Sequence, residues 1–271
     1  MNTVKIIEPH IHMYARTTDD YERMRRAGYV AVVEPAFWSG TDRSCAGSFF
    51  DYFRHLLEFE HGRAARFGIA HFCLLGVNAK EARHTSIAFE VVDRLEEFLE
   101  HPNCLGVGEI GFDLITDEEE EVLRRQVRIA EKRSDLVVIH SPHTNKRVGI
   151  ERIFALLEEE GVDLSRYIMD HNTEETIETT LSHPEVLAGI TLYPTKVTIR
   201  RAAEMIKRHG ADRIVLNSSA DWGKSYPLHL AEAVARLPEM GLSPEEITKV
   251  VYGNAARFFS RSAKFKLGEN P

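Results

Sequence analysis

Apolar residues in this chain gather in short runs. Positions 4–7, 30–33, 69–75, 105–107, 136–139, 167–169, 187–192 and 214–216 are brief, largely β-branched and bounded by breakers, the signature of parallel strands buried on both faces. The stretches between them carry helical spacing. In 117–133 the acids Asp117 to Glu121 crowd the first turn, and Arg124, Arg125, Arg128, Lys132 and Arg133 follow toward the other end. That order complements the helix dipole, so the acidic run reads as a helix start and not as an interaction patch. A second start lies at Ser243-Pro244-Glu245-Glu246, with a serine to cap, a proline at the first helical position and Glu246 placed to close a capping box.

Eight strands alternating with helices build either an open doubly wound sheet or a closed barrel. The placement of chemistry-bearing residues separates the two. No GxGxxG follows the first run, whereas histidines and carboxylates stand directly after five different runs, and barrel enzymes place their active sites at the C-terminal ends of the strands. The chain is therefore expected to be an α/β protein folded as a (β/α)8 TIM barrel, with its site at that face. Its length of 271 residues agrees, since such barrels take about 250. One domain over 1–263 and a short frayed tail over 264–271 are expected, because no linker or low-complexity tract comes earlier.

The first run leads into Glu8-Pro9-His10-Ile11-His12, and the alternation of an extended chain puts both imidazoles on one side, within reach of one ion. After the fourth run comes Gly106-Val107-Gly108-Glu109-Ile110-Gly111-Phe112-Asp113. A carboxylate buried among glycines and apolar side chains needs a cation, and for Glu109 a divalent metal serves better than a lone lysine. Asp113 is a candidate to cap the helix that follows. The fifth and sixth runs end at His140-Ser141-Pro142-His143 and Asp170-His171-Asn172, and the eighth at Asn217-Ser218-Ser219-Ala220-Asp221-Trp222. Four imidazoles and two carboxylates, His10, His12, Glu109, His140, His171 and Asp221, make a nitrogen and oxygen donor set that suits zinc first, with manganese or magnesium as alternatives. Phe37 and Trp38 follow the second run in a Gly/Ser-rich loop, placed either to lid the site or to pack over the rim. Trp38, His143, Lys146, Trp222 and Lys224 are the candidate substrate contacts, while His55 and His71 read as core or surface histidines.

Charge narrows the substrate. With 34 basic against 42 acidic residues and a net charge of −8, the chain has no surplus of cations to track a nucleic-acid backbone, although a local cationic rim can hold one phosphate. Cys45, Cys73 and Cys104 show no CxxC spacing, which argues against a disulfide framework and a cysteine zinc site and leaves them as small buried hydrophobes. The opening MNTVKIIEPHIH lacks a signal-peptide apolar region, and no run of about 18 apolar residues occurs, so a cytoplasmic protein with no membrane partner is expected. Oligomeric state is left open.

Taken together, the HxH after the first run, GEIGFD after the fourth, IHSP after the fifth, DH after the sixth, the aspartate of SSADWG after the eighth and the closing YGNAARFF resemble the TatD-like branch of the amidohydrolase superfamily, over about residues 4–259. The resemblance implies that His10 and His12 hold one divalent ion with Asp221, that His140 and His171 hold a second, and that Glu109 bridges the two. It also implies a hydroxide shared by the ions as nucleophile, since metal binding lowers the pKa of water from about 15.7 to about 7. Asp221 would orient that hydroxide and pass its proton to the leaving group. The chain departs from the nucleases of this family at three places. They carry an aspartate before the HxH, Glu-Thr before the eighth-strand aspartate, and after the fifth-strand histidine an arginine able to fork onto a phosphate. Here stand Glu8, Ser219-Ala220 and the loop Ser141-Pro142-His143-Thr144-Asn145-Lys146-Arg147. The expected activity is accordingly that of a binuclear metal-dependent hydrolase cleaving an ester, lactone, amide or phosphoester of a small molecule. The alternatives are a TatD-type deoxyribonuclease with exonuclease-like phosphodiester hydrolysis, a non-hydrolytic superfamily enzyme such as a decarboxylase or isomerase, and a non-catalytic metal-binding protein, the last disfavoured because all six ligand positions hold competent residues.

Overall fold

Each of the eight apolar runs becomes a strand, and all eight pair in parallel in chain order. In the computed structural model, which describes residues 4–267, they are β1 (Ile6–Glu8), β2 (Tyr29–Pro35), β3 (Ala70–Leu75), β4 (Cys104–Gly111), β5 (Leu136–His140), β6 (Tyr167–Met169), β7 (Leu187–Thr191) and β8 (Ile214–Asn217). Strand residues are buried almost without exception, as they must be in a sheet with helices outside and its own side chains inside. One apolar cluster takes a residue from every strand, among them Ile7, Val33, Leu74, Leu105, Val138 and Val215, and runs down to Phe258 and Phe259 of the closing helix Asn254–Phe259. That cluster is the filled interior of a (β/α)8 barrel.

The ring closes between β1 and β8 just beyond the strand ends. Ser219 N–H donates to His10 O (2.8 Å), His12 N–H donates to Ala220 O (2.9 Å), and the buried Glu8 carboxylate accepts the Ser218 N–H (3.1 Å). The HxH segment and the loop after β8 are thereby stitched together at the catalytic face.

Both expected helix starts form. Thr116 and Glu119 make a capping box at the head of Asp117–Arg133, and Ser243 and Glu246 make another at Pro244–Thr248. The carboxylate of Glu119 also accepts the N–H groups of Asp113, Leu114 and Ile115, so it does the work considered for Asp113. Of the cysteines, Cys73 and Cys104 are buried at paired positions of β3 and β4, whereas Cys45 is exposed, contrary to expectation. The tail does not fray at 264. Lys264 Nζ donates to Leu99 O (2.5 Å), and Phe265 packs against Phe72 and Phe259 with ring centroids 4.9 and 5.7 Å apart. An aromatic ring at that position has the barrel floor to bury against, and residues 268–271 of the expected tail lie outside the described residues. Among the described residues no helix is long and apolar enough to cross a membrane.

Candidate metal centre

Local backbone features aim the donors. Relative to β5, β4 carries an irregularity between Gly108 and Ile110, and the residue in the gap is Glu109. A bulge of this kind re-aims one side chain without ending the strand pair. Gly111 sits at φ +149°, where a Cβ would run into the carbonyl of His140, so glycine there lets β4 lie against the end of β5 where each strand delivers a donor. His171 adopts the left-handed φ of +59°, a conformation that costs a non-glycine residue on the order of 1 kcal/mol or more. Two bonds hold it there. Its N–H donates to Asp170 Oδ1 (2.6 Å), and the Asn172 amide donates to Met169 O (2.7 Å).

Glu109 stands at the centre of the cluster. Its Oε1 lies 2.5 Å from His140 Nδ1 and 2.8 Å from His171 Nε2, while its Oε2 lies 3.8 Å from His10 Nε2 and accepts the Asn78 amide at 3.2 Å. His10 and His12 bring their Nε2 atoms within 3.1 Å of each other. His10 Nδ1 lies 2.5 Å from Asp170 Oδ2, the usual way a carboxylate orients a metal-binding imidazole, and this turns Nε2 toward Glu109. Three overlapping triplets each have donor atoms close enough to share an ion: His10, His12 and Glu109; Glu109, His140 and His171; and His10, Asp170 and His171. Burial pushes His12 and His171 well below the ordinary imidazole range, which keeps them neutral as metal binding requires. Burial also pushes the Glu109 carboxyl up, but His140, His10 and His171 outweigh it and hold the group well below the usual carboxylate range. A dry set of imidazoles, with His12 and His171 held neutral, around an ionised carboxylate fits a divalent cation.

The structure thus brings together five of the six expected ligands. Asp221 lines the same pocket, but it belongs to none of the triplets, and its Oδ1 accepts from Gly223 N–H (2.6 Å), Ser225 Oγ (3.1 Å) and Tyr193 OH (3.2 Å). The pocket measures about 230 Å³ and is open to solvent. Trp38, His143 and Trp222 line it as expected, and Phe37 is buried with its ring stacked on His12, centroids 3.8 Å apart. Two expected contacts are corrected. Lys146 turns away and donates to Ser141 Oγ (2.7 Å), whose hydroxyl donates to Asp170 O (2.8 Å), so it is a strut beneath the sixth-strand turn. Lys224 is exposed and outside the lining, because the Asp221 loop folds back on itself through Ser225.

Four residues of the site escaped the sequence reading. Asp170 stood beside His171 in plain view, but its partner His10 is 160 positions away. Asn78, Lys80 and Lys196 lie in the loops after β3 and β7, and their place beyond a strand end was the available signal. Lys196 Nζ approaches His171 Nδ1 at 3.3 Å, and Lys80 Nζ lies 4.7 Å from the centre of the Trp38 ring.

A family model described as TatD related DNase matches residues 7–260. The chain belongs to the TatD family. An uncharacterized metal-dependent hydrolase of Methanocaldococcus jannaschii is 27% identical to this TatD-family chain over 256 residues, covering 94% of it and 99% of the relative. The crystal structure of a TatD-like protein from Archaeoglobus fulgidus matches with a TM-score of 0.77 at 27% identity, covering 94% of this chain and 99% of that one. A mutant PTE-like lactonase from Deinococcus radiodurans matches with a TM-score of 0.69 at 16% identity, covering 94% and 96%, a likeness of fold alone. This TatD-family protein is a metal-dependent hydrolase.

Proposed function

We infer that this TatD-family hydrolase uses two divalent ions and cleaves an ester, lactone, amide or phosphoester of a small molecule. The observation that carries the reading is the division of labour at Glu109, whose two oxygens face different imidazoles: His140 and His171 on one side, His10 on the other with His12 beside it. A carboxylate so placed is suited to lie between two ions, with zinc the first expectation for this donor set. When bound, the ions supply an acidified water and a polarised substrate oxygen. The chain's own residues do the rest. Asp170 fixes the ring of His10, Thr191 Oγ1 fixes that of His171 at 2.6 Å, and Asp221 is a half-buried carboxylate at the pocket edge, suited to take a proton from the attacking water and return it to the leaving group.

Pocket shape and charge support a small substrate. The cavity, about 230 Å³, is walled by Phe37, Trp38 and Trp222, with Lys80 and Lys196 beside the donors to hold a negatively charged portion of a small molecule. Across a net charge of −8 there is little to follow a polyanion beyond that pocket. The second reading, a deoxyribonuclease, is favoured by the description of the matching family. One assay separates the two: metal-loaded protein is given single-stranded DNA and a panel of small esters, lactones and phosphoesters, with Asp221→Asn as the control for contaminating activity. Turnover of a small substrate that falls at least about 100-fold in the variant, with slow DNA cleavage, is the expected result. Robust DNA degradation that vanishes in the variant would return the protein to the nucleases.

A further inference from the structure

At the end of the barrel away from the metal centre, a second pocket of about 250 Å³ opens beside the N-terminal ends of β6, β7 and β8. Three arginines line it: Arg213 immediately before β8, Arg257 on the closing helix and Arg261 just after it. Each is anchored separately. Arg213 donates to Leu181 O (2.6 Å) and His183 O (2.7 Å) at the end of the helix Ile177–Ser182. Arg257 donates to Asp212 O (2.8 Å) and Asn254 Oδ1 (3.0 Å), and Arg261 to Ser165 Oγ (3.4 Å).

All of these acceptors are neutral oxygens, so they fix the guanidiniums without cancelling their charge. They also engage fewer than half of the five N–H donors each arginine carries. Many arginines elsewhere on this surface are closed off by carboxylates, as Arg124 is by Glu160, Arg133 by Asp135 and Arg201 by Glu174. Around the second pocket the one acidic side chain in the lining is the exposed Glu185. In the lining three positive groups face one negative, and the nearby carboxylates of Asp212 and Asp163, turned to Lys249 and Arg166, offset Arg257 and Arg261 only in part, which leaves a local cationic hollow in a chain of net charge −8. Gathering like charges costs free energy that a bound anion offsets, and forked guanidiniums match the oxygens of a phosphoryl group two at a time.

We propose that this pocket binds a phosphoryl group, as inorganic phosphate or as part of a small phosphorylated molecule. The apolar side of the pocket, formed by Leu187 and Phe258, gives an organic portion a surface to rest on, and the volume exceeds what one phosphate needs. The ligand ties the starts of β6, β7 and β8 to the closing helix. Because the unfolded chain has no such hollow, occupancy stabilises the folded form in proportion to ligand concentration.

Isothermal titration calorimetry on the metal-loaded full chain tests this, with inorganic phosphate and a nucleoside monophosphate as probes and chloride holding ionic strength constant. The comparison is with the double variant Arg257→Gln/Arg261→Gln, whose two side chains are exposed. The expected result is a binding event weakened about tenfold or more in the double variant, while hydrolytic activity is unchanged. Tighter binding of the nucleotide assigns the site to a phosphorylated molecule, and equal binding assigns it to free phosphate. Should the double variant misfold by circular dichroism, Arg261→Gln alone, with its single bond to Ser165, must still weaken binding. Identical isotherms for wild type and variant overturn the proposal. So does binding that survives in the arginine variant but is lost in Lys196→Met, which puts the phosphoryl group at the metal centre, or affinity that climbs with oligonucleotide length, which makes the hollow part of a nucleic-acid surface.

Discussion

Glu109 on β4 and Glu34 on β2 are both buried glutamates with histidine partners, yet their surroundings differ in kind. Around Glu34 each carboxyl oxygen has a hydrogen-bond partner. Its Oε1 accepts the Tyr14 N–H (2.7 Å) and its Oε2 meets His71 Nε2 (2.9 Å). The neighbouring Glu60 takes Tyr21 OH (3.1 Å), His55 Nε2 (3.0 Å) and Arg63 Nε (2.9 Å), and Arg63 goes on to the carbonyls of Met13 (2.5 Å) and Arg16 (3.1 Å). An arginine supplies the cation, and the cluster braces the loop that follows His12. Around Glu109 the imidazoles point inward, no arginine intervenes, and the outer nitrogen of His10 is engaged by Asp170 and that of His171 by Thr191. The protonation follows suit: burial and Glu60 push Glu34 up toward its neutral form, whereas the imidazoles keep Glu109 ionised. Burial of His and Glu together does not mark a metal site; convergence of several donor atoms on one carboxylate that no arginine pairs does.

The sharpest way to break this contrast is Glu109→Ala. Loss of one or both ions is expected, with hydrolysis down by at least about 100-fold, since even an outer-sphere partner of a metal ligand is worth 10–100-fold. The barrel stays folded, because its packing lies below the catalytic face. Metal analysis and circular dichroism on the same sample check both halves. Full metal content in the variant would remove the central role given to Glu109.

How much of this was visible in the chain depends on distance along it. The strands were legible because a doubly buried strand is apolar along its length, and His10, His12, Glu109, His140 and His171 because each stands in the last positions of a strand or just beyond it. What needed the fold was pairing across it. Asp170 reads as a neighbour of His171 until β6 and β1 bring it to His10. Lys146 reads as a pocket lysine until Asn145, at φ +49°, starts a helix that turns it onto Ser141. Phe265 reads as tail until the barrel floor is there to receive it.

Glu60→Ala probes the other cluster and should do the opposite of Glu109→Ala. It leaves Arg63, largely buried, without its carboxylate, which costs about 3 kcal/mol in a buried pair. A lower urea midpoint with undiminished metal content is expected. Metal loss at unchanged stability would show that the two clusters are one functional unit.

The smallest effect, Glu34→Gln, tests the protonation assigned to the structural cluster. Burial and Glu60 raise the Glu34 pKa well above 4.5, so the folded protein keeps a proton that the unfolded chain releases near 4.5. Stability from this group is therefore present below pH 4.5 and falls as pH rises toward the folded pKa, by up to about 1.4 kcal/mol per pH unit. His71 acts in the other direction. Burial lowers its pKa from 6.5 to about 3, so stability is present above pH 6.5 and is lost as pH falls toward 3. Glutamine copies the protonated acid, accepting the Tyr14 N–H through its oxygen and donating to His71 Nε2 through its nitrogen, but it cannot ionise. Wild type and variant should then be nearly equal at low pH and lose stability alike below pH 6.5, where His71 is unchanged, while the variant gains on wild type as pH rises. Urea denaturation from about pH 4.5 to about pH 8 reads the difference directly. If wild type gains on the variant instead, Glu34 is ionised in the folded protein, and the electrostatic distinction between the two glutamates fails even though their hydrogen bonds differ.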